Sequence, residues 1–499
     1  MPMSIADYQN CTGCAACAGI CGSGAIEMKE DELTHFYYPQ IDNTKCVNCG
    51  ICQNVCPAII KSTFTEPTLA YAANNKKIED RMLSASGGIF RAIASYVLEN
   101  GGAVAGVRYV GVNRCEHHIV ADIKELDELC GTKYFQSESQ KVYVELEKHA
   151  KTFNLLMFCG TPCQVAAIKR YSKIKGFDDK LFTVEVLCRG ISSAYVHQKF
   201  LEYLEKRFGK KVISIRYKEK TRGWNKVGTL VTFEDGLQEY VISSENYLAK
   251  LAYEMNLSVR ESCYTCKYKR KERVADITIG DFWGLNDSPL LDNYGTSFIL
   301  VNTSRGYNIL NRVANKLEMI PHSVETVMAG NKYGFNQISC VIDDRRYLWD
   351  KLNVGVDISK VTKDIKKMED ERIARFERTI DRDNRLLGFY ERWVVGCSKG
   401  ENVSGFLIEN NFRNIAIFGY GTLGRALRKI VENRDVKLAY IIESNENRWD
   451  ESVDFYKITD SLPAVDVIIV SAILDYEEIY EKLAGKVNCP IISMEDIIP

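Results

Sequence analysis

Eight cysteines within the first 57 residues constrain this chain more than any other feature of it. Cys11, Cys14, Cys17 and Cys21 are followed by Cys46, Cys49, Cys52 and Cys56, the spacing C-x2-C-x2-C-x3-C written twice. Thiolates this close in sequence wrap one iron-sulfur cubane from a single loop, while the fourth ligand comes from the other run. The spacing predicts two 4Fe-4S clusters, one on Cys11, Cys14, Cys17 and Cys56, the other on Cys46, Cys49, Cys52 and Cys21. Four disulfides are one alternative. The chain opens without a charged-then-apolar secretory stretch, however, so the expected compartment is the cytoplasm, where thiols stay reduced. Two zinc sites are another, but structural zinc usually takes two separated C-x2-C pairs, not complete four-cysteine runs.

The pattern resembles a bacterial two-cluster ferredoxin domain, with one departure: Pro57 follows the second run, whereas Gly22 stands where the first would carry its proline. That proline ends the loop and ligates nothing, so both clusters are retained. Eighteen cysteines in all point to metal or redox work in an anaerobic setting. Lys and Arg number 65 against 66 Asp and Glu, which leaves no net field to gather nucleic acid or an anionic membrane. No apolar run approaches the roughly 18 residues of a membrane span.

A length of 499 residues suits about three domains. The expected class is α/β and α+β multidomain: a dicluster ferredoxin domain over 1–60, a central α/β domain over 61–340, a helical linker over 341–410 and a Rossmann-like half-domain over 411–499. The polar stretch 61–81, with Pro67 and Asn74-Asn75, reads as a connector. From Ser84 onward strands and helices alternate. Strands are expected at 103–109, 153–159 and 181–188, and helices at 139–149, 163–171 and 195–208. Strands at 212–217, 230–233 and 240–242 look like an antiparallel addition, and 277–280 and 298–302 resume the buried pattern. The charged stretch 358–393 reads as a solvated connector helix.

A second group of cysteines lies in the middle of the chain. Cys163 opens a helix behind Thr161 and Pro162, at a positive helix end that favours thiolate. Cys188 closes a strand, and Cys263 and Cys266 form a C-x2-C pair. These four can converge on a site, or Cys163 and Cys188 can be ordinary buried cysteines. Lys267, Lys269, Arg270, Lys271 and Arg273 form a basic run that usually reads as a solvated face and alternatively neutralises cluster or substrate charge, and His117-His118 reads as a surface turn.

Five blocks in order resemble the family of coenzyme F-420 hydrogenase/dehydrogenase beta subunits. They are Ser84 to Gly88, Gly131 to Ser137, Phe158 to Gln164, Cys188-Arg189-Gly190, and Cys263 to Cys266 with Asp276 to Gly284. Arg189 departs from the histidine common in that family. The resemblance implies FAD in the central domain and a third 4Fe-4S cluster, assigned to Cys163, Cys188, Cys263 and Cys266. Ser86, Gly87 and Gly88 before a helix would seat the FAD pyrophosphate on backbone N–H groups. Lys133 would pair with a phosphate, and the Tyr134 ring would pack on the flavin or adenine. The alternative for these residues is a helix cap and a core aromatic.

Near the C-terminus Gly419, Gly421 and Gly424 lie between a strand and a helix, and Glu443 ends the next strand, as the dinucleotide fingerprint requires. The segment is closer to one nucleotide-binding half than to a full fold, so a nucleotide or nucleotide-sugar is the expected ligand. The whole reads as an iron-sulfur flavoprotein oxidoreductase. Its expected donor is ferredoxin or a redox subunit, and its acceptor a small molecule such as coenzyme F-420 or an intermediate of sugar or polysaccharide synthesis. The alternatives are a non-catalytic electron-transfer subunit and a redox sensor. No catalytic residue is assigned.

Overall fold

The computed structural model describes residues 5–286, 288–398, 403–432 and 435–498. It divides into two compact units, Met1–Lys366 and Lys367–Pro499, with the boundary inside the helix Ile358–Ser398. The first unit holds the ferredoxin-type region and the central region together. Cys14, Ala16, Ile20 and Val55 pack into one apolar cluster with Tyr143, Phe158, Val165 and Ile168, so residues 1–60 share a core with the central region.

The central region is built on an eight-stranded sheet. Four of its strands, Ala103–Val110, Leu156–Gly160, Leu181–Val186 and Ile277–Asp281, run parallel side by side. Residues 156–160 are buried throughout, the pattern of a strand covered on both faces. Parallel strands put their C-terminal ends on one edge, and the loops beyond those ends are where such sheets place their sites. Cys163 and Cys188 lie just past two adjacent ends, Gly160 and Val186. A separate antiparallel sheet, Val212–Glu219, Gly228–Phe233 and Gln238–Ile242, is the addition expected from the sequence.

Four expectations are corrected. The connector 61–81 contains the strand Leu69–Asn75, which lies inside the sheet between Ser297–Val301 and Leu317–His322. Its small alanines and two asparagines hid it. Asn74 and Asn75 are buried, and the Asn74 amide donates to the Leu290 carbonyl at 2.9 Å. His117 lies in the strand Arg114–Val120, buried and stacked 5.0 Å from the Phe158 ring, not in a surface turn. The basic run is not one solvated face: Arg273 is 1% exposed and pairs with the buried Glu185. The linker 341–410 is not free either. Leu348, Trp349 and Leu352 belong to the core of the first unit, and Phe389, Val403 and Leu407 to that of the second. The middle of the long helix does carry exposed side chains, including Phe376 and Ile380.

The second unit has five parallel strands: Asn414–Phe418, Lys437–Ile442, Asp454–Tyr456, Val467–Val470 and Ile491–Ser493. Numbered in that sequence, their order across the sheet is 3-2-1-4-5. The direction of winding reverses between Asn414–Phe418 and Val467–Val470, the point at which open sheets of this kind leave a crevice.

Candidate electron-transfer site

The two cysteine runs fold alike. Gly13 and Asn48 have φ of 66° and 55°, and Ala15 and Gly50 have φ of 59° and 72°. Each run therefore carries left-handed residues immediately before and after its second cysteine, Cys14 or Cys49. Such alternation curls the backbone so that N–H groups face inward, a nest suited to an anionic cluster. Short helices follow, Ala16–Ile20 and Ile51–Val55. They end on Cys21 (φ −71°, ψ 100°) and Cys56 (φ −70°, ψ 116°), so Gly22 in place of proline leaves the fourth cysteine in the same conformation.

The thiols gather across the runs. Burial pushes Cys14 up to about 12, with the nearby Cys56, Cys11 and Cys163 thiols adding to the effect. Cys17 is raised by burial and then by Cys14, Cys11 and Cys56. Cys56 of the second run thus stands with Cys11, Cys14 and Cys17. In the reciprocal set, burial raises Cys52, aided by Cys49 and Cys21. Cys21 is partly buried, yet hydrogen bonds from Ser23 and from the N–H groups of Ala25, Ser23 and Ile26 outweigh that burial and lower its thiol. Cys49 is the most open of the eight. Val47 beside it is 71% exposed and Ile51 40%.

A third group forms beyond the sheet edge. Cys163, Cys188, Cys263 and Cys266 line one cavity together with Thr12, Tyr268 and Lys269. The helix Pro162–Lys175 starts with its proline in the first turn, and the Gln164 side chain accepts from the Thr161 N–H at 3.0 Å. A helix end is worth about 1 kcal/mol to a thiolate. Burial decides otherwise: it pushes Cys163 from 9.0 up to about 12, a change worth about 4 kcal/mol, and Cys266 and Cys263 add to it. Cys188 rises by burial and by Cys263, Cys163 and Cys266, and burial takes Cys263 up to about 11. Buried thiols held together in this way give up their protons to a bound cation, so the donor set fits a metal cluster better than a free nucleophile. Among the described residues, no three His, Cys, Asp or Glu side chains stand as they would around a single metal ion.

The third group adjoins the first. Thr12, between Cys11 and Cys14, lines its cavity. Tyr268 is close to Cys163, Cys14 and Cys266, and Tyr143 to Cys14, Cys163 and Cys17. Ser139 Oγ and the Tyr143 hydroxyl each donate to the Cys14 carbonyl at 2.8 Å. Gln136 Nε2 donates to the Gly13 carbonyl at 2.9 Å. Lys267, counted in the sequence among solvated charges, donates to the Pro57 carbonyl. Lys269, likewise, donates to the Arg189 carbonyl at 2.8 Å. Isolated polar residues of this kind carry no spacing signal, and only the fold brings them to the cysteines.

Residues 153–325 match the family described as coenzyme F420 hydrogenase/dehydrogenase, C terminus of the beta subunit, and residues 10–60 match a 4Fe-4S dicluster domain. Over these two segments the chain is similar to that family of beta subunits and to dicluster ferredoxin domains. The F subunit of the F(420)H(2) dehydrogenase of Methanosarcina mazei is 23% identical over 34% of the chain, which spans about half, 51%, of that relative's length. An uncharacterized protein of Methanocaldococcus jannaschii is 20% identical over 61% of the chain and 87% of its own length. A chain of the F-420-reducing NiFe hydrogenase complex from Methanosarcina barkeri overlaps 62% of this chain and 93% of its own, with 18% identity and a TM-score of 0.36. The chain is thus related to subunits of F420 hydrogenase/dehydrogenase type and carries a 4Fe-4S dicluster region of ferredoxin type.

The residues singled out for the family's flavin have partners of their own. The Gly87 N–H donates to Ser297 Oγ at 2.9 Å, and a Cβ there would lie 2.6 Å from the Ala73 carbonyl oxygen. Ser86 Oγ donates to the Thr296 carbonyl at 3.1 Å. Gly88 caps the helix Ile89–Glu99 with φ 82°. Lys133 is lowered to about 8 by burial, and its Nζ donates to the carbonyls of Cys130, Glu128 and Gly131. Packing therefore accounts for Ser86, Gly87, Gly88 and Lys133. Tyr134 differs: it leans on Tyr253, a ring near Cys188 and Cys263, and lies close to Lys218, Asp281 and Arg189. Lys218 has φ 52° at an irregularity in its strand and pairs with Asp281, a residue the family blocks had left without a role.

In the second unit Gly419 has φ 89°, and a Cβ on Gly424 would lie 2.0 Å from the Gly419 carbonyl oxygen, the close turn the fingerprint requires. Glu443 is buried. Its carboxylate accepts from the Tyr420 and Asn445 N–H groups, each at 2.9 Å, and faces Arg448 at 3.3 Å. Burial alone would raise it, but the Asn445, Tyr420 and Arg448 contacts lower it. In this structure the carboxylate holds the glycine loop. Gly421 stays open, with nothing nearer than Arg448 Nη1 at 3.9 Å.

Proposed function

We propose that the chain passes single electrons between a redox partner and a soluble acceptor through three cysteine sites in series. The first two are Cys46/Cys49/Cys52/Cys21 and Cys11/Cys14/Cys17/Cys56, and the third is Cys163/Cys188/Cys263/Cys266. A 4Fe-4S cluster bound at each would take up and release one electron. The observation that carries the proposal is the nearness of Cys163 to Cys14, with Thr12 in the wall of the third cavity. Cys49 and its exposed apolar neighbours Val47 and Ile51 suit entry from a ferredoxin or a redox subunit. At the other end Tyr134, Tyr253, Arg189, Lys218 and Asp281 gather beside Cys188, which suits an acceptor such as coenzyme F-420 or a sugar intermediate. FAD there rests on the family resemblance. Four of its five expected residues are engaged in packing, and no step is routed through it. The same holds for a nucleotide at the Rossmann-like C-terminal domain.

The test is iron, acid-labile sulfide and flavin per chain on protein prepared without oxygen. About twelve irons are expected, and Cys163→Ser should remove about four of them while leaving the rest. Unchanged iron in that variant would overturn the third site, and bound flavin would restore FAD to the path. The names of the relatives favour a second reading, a subunit that docks on a catalytic partner. Co-purification of a stoichiometric partner, with no turnover by the isolated chain, would select it.

A further inference from the structure

Arg260 is fully buried, and among the described residues no Asp or Glu pairs with it. Its guanidinium is instead spent on the first cysteine loop. Nε donates to the Cys11 carbonyl at 2.7 Å, and Nη2 to the Tyr37 carbonyl at 2.8 Å. Nη2 also lies 3.6 Å from Cys11 Sγ. Nη1 donates to Gln136 Oε1 at 3.0 Å. The rings of Tyr38 and Phe36 stack on it at 4.1 and 5.2 Å, and these close off water. Its charge also reaches Cys263, whose thiol it lowers against the larger effect of burial.

A cation taken out of water costs several kcal/mol unless an anion or a full set of acceptors compensates it. Carbonyls and one amide supply dipoles, not charge. With clusters bound, the anionic groups in reach would be the thiolates of the Cys11 set and, beyond them, those of the Cys263 set. We infer that Arg260 is the buried counter-charge of the first cluster, which it holds at a higher reduction potential than the outer cluster of Cys46, Cys49, Cys52 and Cys21. The inference rests on the cluster assignment proposed above. Reduction adds one electron to the cluster and removes none from Arg260, which stays protonated throughout. A fixed positive charge beside the sulfur favours that added electron, and hydrogen bonding to cluster sulfurs is one of the levers that set these potentials. Electrons entering near Cys49 would then run downhill to the junction with the third site. Arg260 is a positioning residue: it touches a ligand, not a substrate.

The test is a redox titration followed by electron paramagnetic resonance on the full chain, prepared without oxygen, with iron counted in every sample. The transition lost in Cys14→Ser identifies the first cluster. In Arg260→Gln that transition should shift to lower potential while the outer cluster keeps its own. Arg260→Lys, which retains a charge without the fork, should fall between. Gln136→Glu leaves Arg260 in place but sets a carboxylate on Nη1, and it should lower the same transition. It decides the matter if Arg260→Gln loses iron. An unshifted first transition in Arg260→Gln at full iron, or in Gln136→Glu, would overturn the inference while leaving the cluster assignment intact. Wild-type protein without the transition assigned to Cys14 would overturn both.

Discussion

Gln136 Nε2 donates to the Gly13 carbonyl at 2.9 Å, so a side chain of the central region closes the loop that carries Cys11 and Cys14. Gly13 has φ 66°, and a Cβ on it would lie 2.3 Å from Gln136 Nε2 and 2.6 Å from Arg260 Nη1. Gly24 has a similar φ, 63°, with nothing within 4 Å. Gly24→Ala is therefore expected to cost about 1 kcal/mol for backbone conformation alone. Gly13→Ala should cost about 3 kcal/mol and lose irons of the first cluster as well. Iron content and thermal midpoints of the two variants check this; equal effects would refute it.

Arg273 and Glu185 are 1% and 0% exposed, and Thr278 Oγ1 also donates to the Glu185 carboxylate at 2.9 Å. Removing one partner leaves a bare buried charge. Arg273→Met should destabilise the first unit by roughly 3–5 kcal/mol, and Arg273→Met with Glu185→Leu should recover much of the loss. Denaturant unfolding measures both. A double variant no better than the single one would contradict the pairing argument.

His117 and His197 are both lowered by burial from 6.5 to about 4. Their folded values lie below the unfolded one, so unfolding takes up protons between about pH 4 and 6.5. The stability held by the neutral rings is complete above about pH 6.5 and is lost as pH falls toward 4. Each contributes about 2 kcal/mol of that loss between pH 6.5 and 5. Urea midpoints at pH 7 and pH 5 should differ in the wild type and differ less in His197→Phe. An equal drop in the variant would remove His197 from the account.

The glycine loop of the second unit separates packing from binding. Gly424→Ala drives a Cβ into the Gly419 carbonyl and should cost about 3 kcal/mol in that unit. Gly421 has φ −72° and open space, so Gly421→Ala should leave stability unchanged. Calorimetric titration with a dinucleotide and with a nucleotide-sugar should show binding in the wild type and at least a tenfold loss in Gly421→Ala, where the methyl blocks backbone approach to a phosphate. No heat from either ligand in the wild type would leave the loop a structural turn.

Local patterns were legible wherever one short stretch carries the physics. The strand expected at 277–280 runs over Ile277–Asp281, and the helix Gln140–His149 was expected within one residue of its start. Leu69–Asn75 was missed because a central strand of alanine and asparagine has neither the apolar weight nor the alternation that marks a strand, and only its neighbours bury it. The residues assigned to the flavin carry two readings at once. Ser86, Gly87 and Gly88 have the look of a phosphate loop, yet the close approach of Ala73 accounts for the glycine.

The sequence by itself determined the two cysteine runs and the turn at Gly419 to Gly424, because short spacings fix geometry through the backbone alone, and it carried the expectation that the runs exchange a fourth ligand. Tertiary structure decided the rest. It set Cys163 and Cys188 at adjacent strand ends, drew Cys263 and Cys266 to them, brought the group beside Cys14 and placed Arg260 at Cys11. Cys11 and Arg260 are 249 residues apart. Contacts over such separations depend on how layers of the fold pack, and no local spacing encodes them.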